Sequence, residues 1–432
     1  MRRRNWLAAI GRAAGGIALG VSAPACAGTG VDLFSPETFL FVGDLRLAAV
    51  NGEQSWIHGG FGKLRFGGRY PYETSSGLLR AALGSADLVW QPKLGWALSG
   101  TVVGTIQQSH RLEAGLSEAY LSFKPLGGGR VRFSARAGLM WPRVSLEHSG
   151  PEWAVRDTIT PSAINSWIGE EVKFVGAEGT ASTGFGGGKL SATAAIIDAN
   201  DTAGALLAFR GWTLDDIKAL AYRKLPLPPL NDEIEEYQPR YSYPVANIGG
   251  GFLKRPGWYA RIAWELRAPV RIEAIHYTNG GDPEAANANL EWGWRTWFNN
   301  VGLVAQLTPQ TELRAQAISG RSQMGPVEDG RRWIDLRFRS GFVLVTRRFG
   351  QATSLSARVE AFGTRNRGEY VTSEDDERGW AVTGAGKRAL GQNLTALVEL
   401  LHVDSRRAAR TRVGLAPHQV QTQLQGSLRL RW

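Results

Sequence analysis

Along most of the chain, hydrophobic and polar residues alternate with a period of two. From residue 419 onward Gln419, Gln421, Gln423, Gln425, Ser427, Arg429 and Arg431 interleave with Val420, Thr422, Leu424, Gly426, Leu428, Leu430 and Trp432. Successive side chains of an extended strand point to opposite faces, so this segment has one apolar face and one polar or cationic face. The pattern recurs where Val131, Phe133, Ala135, Ala137, Leu139 and Trp141 oppose Arg130, Arg132, Ser134, Arg136 and Gly138. Trp258, Ala260, Ile262, Trp264 and Leu266 oppose Tyr259, Arg261, Ala263, Glu265 and Arg267; Leu355, Ala357, Val359 and Ala361 oppose Ser354, Ser356, Arg358 and Glu360; Ile334, Leu336 and Phe338 oppose Asp335, Arg337 and Arg339.

These runs last roughly ten to fourteen residues, enough for a tilted strand to cross a bilayer and longer than the ~5–6 residues of an ordinary strand. Strands are expected over 37–50, 54–66, 78–91, 94–107, 112–124, 130–141, 168–183, 188–199, 203–212, 257–268, 270–279, 295–308, 311–322, 332–349, 352–364, 377–389, 391–405 and 419–432. Hairpin signals separate them, at Asn51-Gly52, Gly127-Gly128-Gly129, Gly186-Gly187-Gly188, Ala268-Pro269, Thr308-Pro309 and Phe349-Gly350. The fold expected is all-β: a transmembrane antiparallel up-and-down barrel of about 16 to 18 strands. Long connections at 67–77, 142–167, 213–256, 280–294, 365–376 and 406–418 alternate with short turns, as in barrels with long outer loops. Only Asn51 to Glu53 falls on the wrong side of that alternation.

Composition agrees with such a barrel. One residue in eight is glycine (54 of 432), against a usual ~7%. Apart from the leader, no run reaches the ~18 apolar residues of a membrane helix. The leader, residues 1–27, reads as a cleaved secretory signal: Arg2, Arg3, Arg4 and Arg12 flank an apolar stretch from Ala13 to Ala23, and Ala25-Cys26-Ala27 supplies a small-x-small cleavage site. Cleavage there removes the chain's one cysteine and leaves residues 28–432 as a single barrel domain. Subtracting the leader's four arginines lowers the formal charge from +11 to +7, with no basic run long enough for a nucleic-acid arm.

On a membrane strand the apolar face meets lipid and the polar face meets the lumen. That rule assigns Arg130, Arg132, Arg136, Arg261, Arg267, Arg271, Arg314, Arg337, Arg339, Arg358, Arg429 and Arg431 to the lumen, with the acidic Glu118, Glu265, Glu273, Asp335, Glu360 and Glu399. Arginine outnumbers acid by two to one in this set. Such a surface attracts anions, and a mild anion preference follows unless the arginines only tie the wall together through ion pairs. Loop 142–167 has apolar residues in need of a wall, Trp153, Ile159, Ile164 and Trp167, and either folds inward to narrow the pore or lies as a surface flap. Its constriction candidates are Arg143, Trp153, Arg156 and Trp167. Trp141, Trp258 and Trp432, near strand ends, suit interfacial girdles. The acidic tip Glu374-Asp375-Asp376-Glu377 either binds cations bridging lipopolysaccharide or is solvated.

No motif supports catalysis. Gly184-Phe185-Gly186-Gly187-Gly188-Lys189 lacks the spacing and the Ser or Thr of a phosphate loop and reads as a turn. The six histidines are scattered without metal-ligand spacing, and there is no GxSxG elbow. The remaining enzymatic possibility is a Ser–His pair on the outer wall, around His276 or His402. No enzyme activity, metal or cofactor is expected.

The stretch SEAYLSFKPL (117–126) and the following RVRFSARAGLMWPRVSLEHSG (130–150), with Arg136, Gly138 and Pro142 in an R-x-G-x-x-x-P pattern, resemble the phosphate-selective (O/P type) family of bacterial outer-membrane porins. NVGLVAQLTPQTELRAQAISGRSQMG (300–325) is similar in style to that family's hairpins. The resemblance implies an outer-membrane location, contact with lipid and lipopolysaccharide, and homotrimers. It also implies recognition by the barrel-assembly machinery through Leu428, Leu430 and Trp432. The loop 142–167 departs from the family in carrying only Arg143 and Arg156. The leading functional expectation is therefore a channel for passive diffusion of small hydrophilic solutes, with a mild preference for anions. The alternatives are an exporter pore for an acidic polysaccharide and a plugged structural or adhesive surface barrel.

Overall fold

The computed structural model describes residues 30–68, 78–109, 111–125, 129–243, 250–251, 254–267 and 269–432. The leader and the Gly127-Gly128 turn fall outside these residues. Sixteen strands form one closed barrel: β1 (Phe39–Val50), β2 (Leu78–Trp90), β3 (Leu98–Gln108), β4 (Leu112–Phe123), β5 (Val131–Met140), β6 (Phe174–Phe185), β7 (Gly188–Asn200), β8 (Gly257–Glu265), β9 (Val270–Thr278), β10 (Arg295–Thr308), β11 (Thr311–Glu328), β12 (Arg331–Phe349), β13 (Thr353–Asn366), β14 (Glu377–Ala389), β15 (Leu394–Arg407) and β16 (His418–Arg431). Sequence neighbours pair antiparallel, and β1 closes the ring on β16, from Val42 opposite Arg431 to Val50 opposite Gln423. Trp432 extends the seam by exchanging two backbone hydrogen bonds with Phe41, at 2.7 and 2.9 Å. The β6–β7 hairpin turns on Gly186 and Gly187, both with positive φ (57° and 75°), which suits a two-residue turn of the type that follows strand twist.

Two expected strands are not in the wall. Segment 54–66 is a folded loop containing a short 3-10 turn, Trp56–His58. Its apolar residues Trp56, Ile57, Phe61, Leu64 and Phe66 are all buried, so it has no polar face to give a lumen. Segment 203–212 carries a helix, α2 (Ala205–Phe209), opened by Gly204 at φ 105°. The strand expected from residue 168 begins at Phe174, because the preceding residues form a helix, α1 (Ala163–Glu171). With these corrections 51–77 and 201–256 are each one loop. All eight loops at that end then alternate cleanly with seven turns at the other, and the anomaly at Asn51 to Glu53 disappears. We label the loops L1 (51–77), L2 (109–111), L3 (141–173), L4 (201–256), L5 (279–294), L6 (329–330), L7 (367–376) and L8 (408–417).

The outer wall carries a band of exposed apolar side chains, among them Leu45, Leu47, Leu88, Ile106, Val301, Val359, Leu400 and Leu424. A belt of this extent does not face water and reads as lipid contact. None of the described helices is long and apolar enough to cross a membrane. Trp258, Trp297 and Trp380 are exposed near one edge of the band, as a girdle requires. Trp141 is not part of it: it is buried inside and stacked on Trp153, with ring centroids 4.9 Å apart.

The lumen contains a hydrophobic core. Trp56, Ile164, Trp167, Ile168, Leu206, Leu207 and Trp212 of the loops pack with Phe298, Leu336, Phe338, Phe342 and Leu344 of the wall. This packing reverses β12. Ile334, Leu336 and Phe338 face inward, Phe338 lying 4.9 Å from the Trp167 ring, so Asp335, Arg337 and Arg339 face outward rather than into the lumen. The rule that polar residues face the pore holds only where the pore is wet, and β12 lines a filled half of the barrel.

Candidate functional site: the filled lumen and its cationic vestibule

L3 crosses the barrel and is held there by wall side chains. A Pro161-Ser162 pair precedes α1, and Ser162 caps the helix by accepting from the Asn165 N–H. Ile164, Trp167 and Ile168 then follow at helical spacing, and all nine helical residues are buried. Arg358 of β13 is fully buried and donates five hydrogen bonds: to Glu360 (2.8 Å), Glu147 (2.8 Å), the Thr160 carbonyl (2.8 Å), the Pro161 carbonyl (3.0 Å) and Thr383 (3.1 Å). Glu360 accepts from the Ala163 N–H at 2.7 Å, and Glu399 accepts from the Ile159 N–H at 2.6 Å. Glu147 returns to the loop, accepting from Ser162 and Asn165. Arg358, Glu360 and Glu399 all engage L3, and together they latch it.

L4 and L1 lock over L3. Arg210 of L4 pairs with Glu170 of α1 at 2.7 Å, both side chains fully buried, and its guanidinium lies over the Trp56 ring at 4.2 Å. Glu377 of β14 accepts from the Trp212 N–H at 2.7 Å and pairs with Lys63 of L1. Arg407 of β15 donates to the Ala208 carbonyl at 2.6 Å. Glu171 accepts from Trp167, Ser242 and the Gly204 and Leu206 N–H groups, so one carboxyl ties α1 to the start of α2. Burial nonetheless pushes it up to about 7.

Beneath L3, on the side of the barrel where the termini meet, lies a vestibule with partly exposed cations. Arg143 and Arg136 share Glu178 at 2.6 and 2.8 Å. Arg271 and Arg261 share Glu273, the latter at 2.6 Å. Arg156, Arg314 and Lys387 share Asp157, while Arg156 and Arg314 also reach Glu312. Arg429 and Arg46 share Asp44, and Arg431 reaches Glu152 at 2.5 Å. Arg143, Arg156 and Arg271 have side chains 41%, 38% and 37% exposed. Arg132 shares the inward face of β5 with Arg136, and Glu265 faces Lys189 at 3.8 Å. Arg130 and Arg267 lie in the rim turns, and Glu118 accepts from the Trp141 N–H at 3.2 Å.

Of the constriction candidates, Trp167 belongs to the core and Trp153 stacks between Trp141 and His148. Leu428, Leu430 and Trp432 are exposed on the outer wall. His276 bonds Asn299 and His402 bonds Thr422, each at 2.8 Å among girdle tryptophans, and among the described residues neither is hydrogen-bonded to a serine. The residues that sequence reasoning missed are those of the loops: Glu147, Glu170, Glu171, Arg210, Lys63, Trp56 and Trp212. Their one sequence signal was the helical spacing after Pro161-Ser162.

His148 gives L3 an acid response. It is buried beside Trp153, with Glu147, Asp216, Lys218 and Arg429 around it, and burial lowers it to about 3. A depressed histidine contributes stability that is complete above the unfolded value near 6.5 and is lost as pH falls toward 3, about 2 kcal/mol of it by pH 5. Glu171, raised, acts oppositely, favouring the docked loop below 4.5 and losing that contribution as pH rises through 7. His148→Phe is therefore expected to abolish the acid-side loosening of L3 and leave the Glu171 response. Protease cleavage of L3 measured from pH 7 to pH 4 checks this, and an unchanged acid response in the variant refutes it.

No protein-family model matches the chain, and no curated protein matches it by sequence. Solved structures do match its fold. The outer membrane channel DcaP of Acinetobacter baumannii superposes with a TM-score of 0.54 at 10% identity, over 92% of this chain and 99% of that one. The anion-selective porin from Comamonas acidovorans gives 0.51 at 11% identity, over 91% and 99%. A loop-deletion form of OmpT, an outer membrane protein of Vibrio cholerae, gives 0.50 at 9% identity, over 91% and 100%. The chain thus has the closed antiparallel barrel of bacterial outer-membrane porins.

Proposed function

We propose that this protein is an outer-membrane channel for passive diffusion of small hydrophilic solutes, with a mild anion preference, whose resting state is throttled by L1, L3 and L4. The observation that carries the reading is the sharing of carboxylates in the vestibule. Glu178 and Glu273 each serve two arginines, and Asp157 with Glu312 serves two arginines and a lysine, so every cluster keeps surplus positive charge facing the aqueous end. Fixed cations in a narrow, low-dielectric passage concentrate anions and admit them first. The names of two structural neighbours, a channel and an anion-selective porin, agree with this reading. The leader 1–27 would deliver the chain for export, and the loops L1–L8 would face outward.

Planar-bilayer recording under a salt gradient tests it. Small-conductance channels with anion-directed reversal are expected, and added phosphate blocks them if the O/P-type resemblance extends to the solute. Replacing Arg143, Arg156 and Arg271 with glutamine should roughly halve the anion preference while leaving the barrel folded. A second reading, a plugged surface barrel, is favoured by the complete burial of Arg358 and α1 in mid-lumen. Absence of conductance after verified insertion would select it.

A further inference from the structure

The outward arginines of the upper wall form a second cationic cluster, separate from the lumen. Arg337, Arg339, Arg365, Arg378 and Arg406 are all exposed on β12 to β15. Register places Arg337 directly opposite Arg365 and Arg378 directly opposite Arg406, while Gly363 stands between Arg339 and Arg378. Like charges directly opposite one another destabilise a strand pair. Among the described residues none of the five has a carboxylate or hydrogen-bond partner, whereas neighbouring Arg321 is neutralised by Asp335 at 2.5 Å. The five line a cleft of about 710 Å³ together with Ser319, Gly363 and Ser373. The acids at its margin are engaged elsewhere: Glu377 points inward to Lys63, and Asp376 faces Arg367 at 3.6 Å.

An apolar groove of about 1090 Å³ runs along the outer wall from β7 to β13, and its β11–β13 end lies directly below this cleft. Two residues down from Ser319, Arg339 and Gly363 stand Ala317, Gly341 and Ala361, roughly 7 Å along each strand. Ala315, Val343 and Val359 continue the groove downward. At this end the floor is small, Ala315, Ala317, Gly341 and Ala361, while Ile262, Trp264, Ile272 and Leu303 wall the far end. Trp380, one step below Arg378, puts the cluster at the headgroup edge of the band, where an outward arginine costs little.

We propose that this face binds a phosphorylated membrane amphiphile, its phosphates in the arginine cleft and an acyl chain in the groove. Five unpartnered guanidiniums call for a polyanion, and planar guanidinium forks match phosphate oxygens bidentately. A free anion would leave the groove unused, and a purely apolar ligand would leave the like-charged pairs uncompensated. The inference rests on the outer-membrane reading only for which leaflet supplies the ligand.

Native mass spectrometry of the detergent-purified full chain, titrated with diphosphorylated lipid A, its dephosphorylated form and inorganic phosphate, tests the proposal. The diphosphorylated lipid is expected to bind at least tenfold more tightly than the dephosphorylated one, and phosphate alone only weakly. R339Q/R378Q/R406Q should remove most of that preference. Gly341→Leu, at a position with ordinary contact room around an added Cβ, should weaken lipid binding and leave phosphate unaffected. Equal binding of both lipids by the wild type and the triple variant would overturn the proposal, as would full competition by phosphate alone or occupation of this face by a second copy in cross-linking. The variants lie outside the lumen, so their conductance should match the wild type. A failed lipid assay beside normal conductance thus refutes this site without touching the channel.

Discussion

Replacing Arg358 with alanine is expected to release L3 and raise single-channel conductance several-fold while the barrel stays folded. The wild-type guanidinium satisfies two carboxylates and two loop carbonyls at once in a site closed to water. Its removal leaves Glu147 and Glu360 buried without their counter-charge, a loss of about 3–5 kcal/mol for a broken buried pair. The wall strands keep their ladders, so the cost falls on the docked loop. Because every 1.4 kcal/mol is tenfold in an equilibrium, the undocked population rises at least about a hundredfold. Arg358→Lys retains the charge but cannot reach five acceptors, and should fall between the two. Bilayer conductance and trypsin cleavage after Arg156 of L3 read the outcome. If Arg358→Ala is as closed and protease-resistant as the wild type, apolar packing of α1 alone holds the loop.

The wall was legible in the sequence because each strand has an independent signature. Period-two alternation needs no knowledge of what lies across the lumen, and sixteen of the expected strands stand where the alternation put them. The loops were not legible for the same reason. Segment 54–66 is as rich in apolar residues as a strand, and only its failure to keep one polar face distinguishes it. For α1 the helical spacing of Ile164, Trp167 and Ile168 was visible, but what it packs on comes from β10 and β12, more than a hundred residues away. The outward turn of Arg337 and Arg339 follows from that packing. A local rule about polar faces assumes a wet lumen, and whether the lumen is wet is decided by segments distant in sequence.

Whether L1, L3 and L4 move as one body can be decided at Arg210. Arg210→Ala is expected to open the lumen to an extent comparable with Arg358→Ala, through a different contact. The change leaves Glu170 and neighbouring Asp215 buried without a cation, and it removes the guanidinium from the face of Trp56, unlocking L4 from both α1 and L1. Burial already raises Glu170, an effect opposed chiefly by Arg210. In the variant that carboxyl stays protonated to higher pH. The stability a raised acid contributes is present below its unfolded value and is lost as pH rises through the folded one, so the variant should open more at pH 8 than at pH 5. Glu170→Gln in the Arg210→Ala background should reduce this dependence to the response of Glu171. If the three loops unfold from the lumen cooperatively, Arg358→Ala and Arg210→Ala will give the same open conductance, and the double variant will add little to either. Two distinct conductance levels that sum in the double variant would instead divide the plug into independent gates, with L3 governing one and the L1–L4 pair the other.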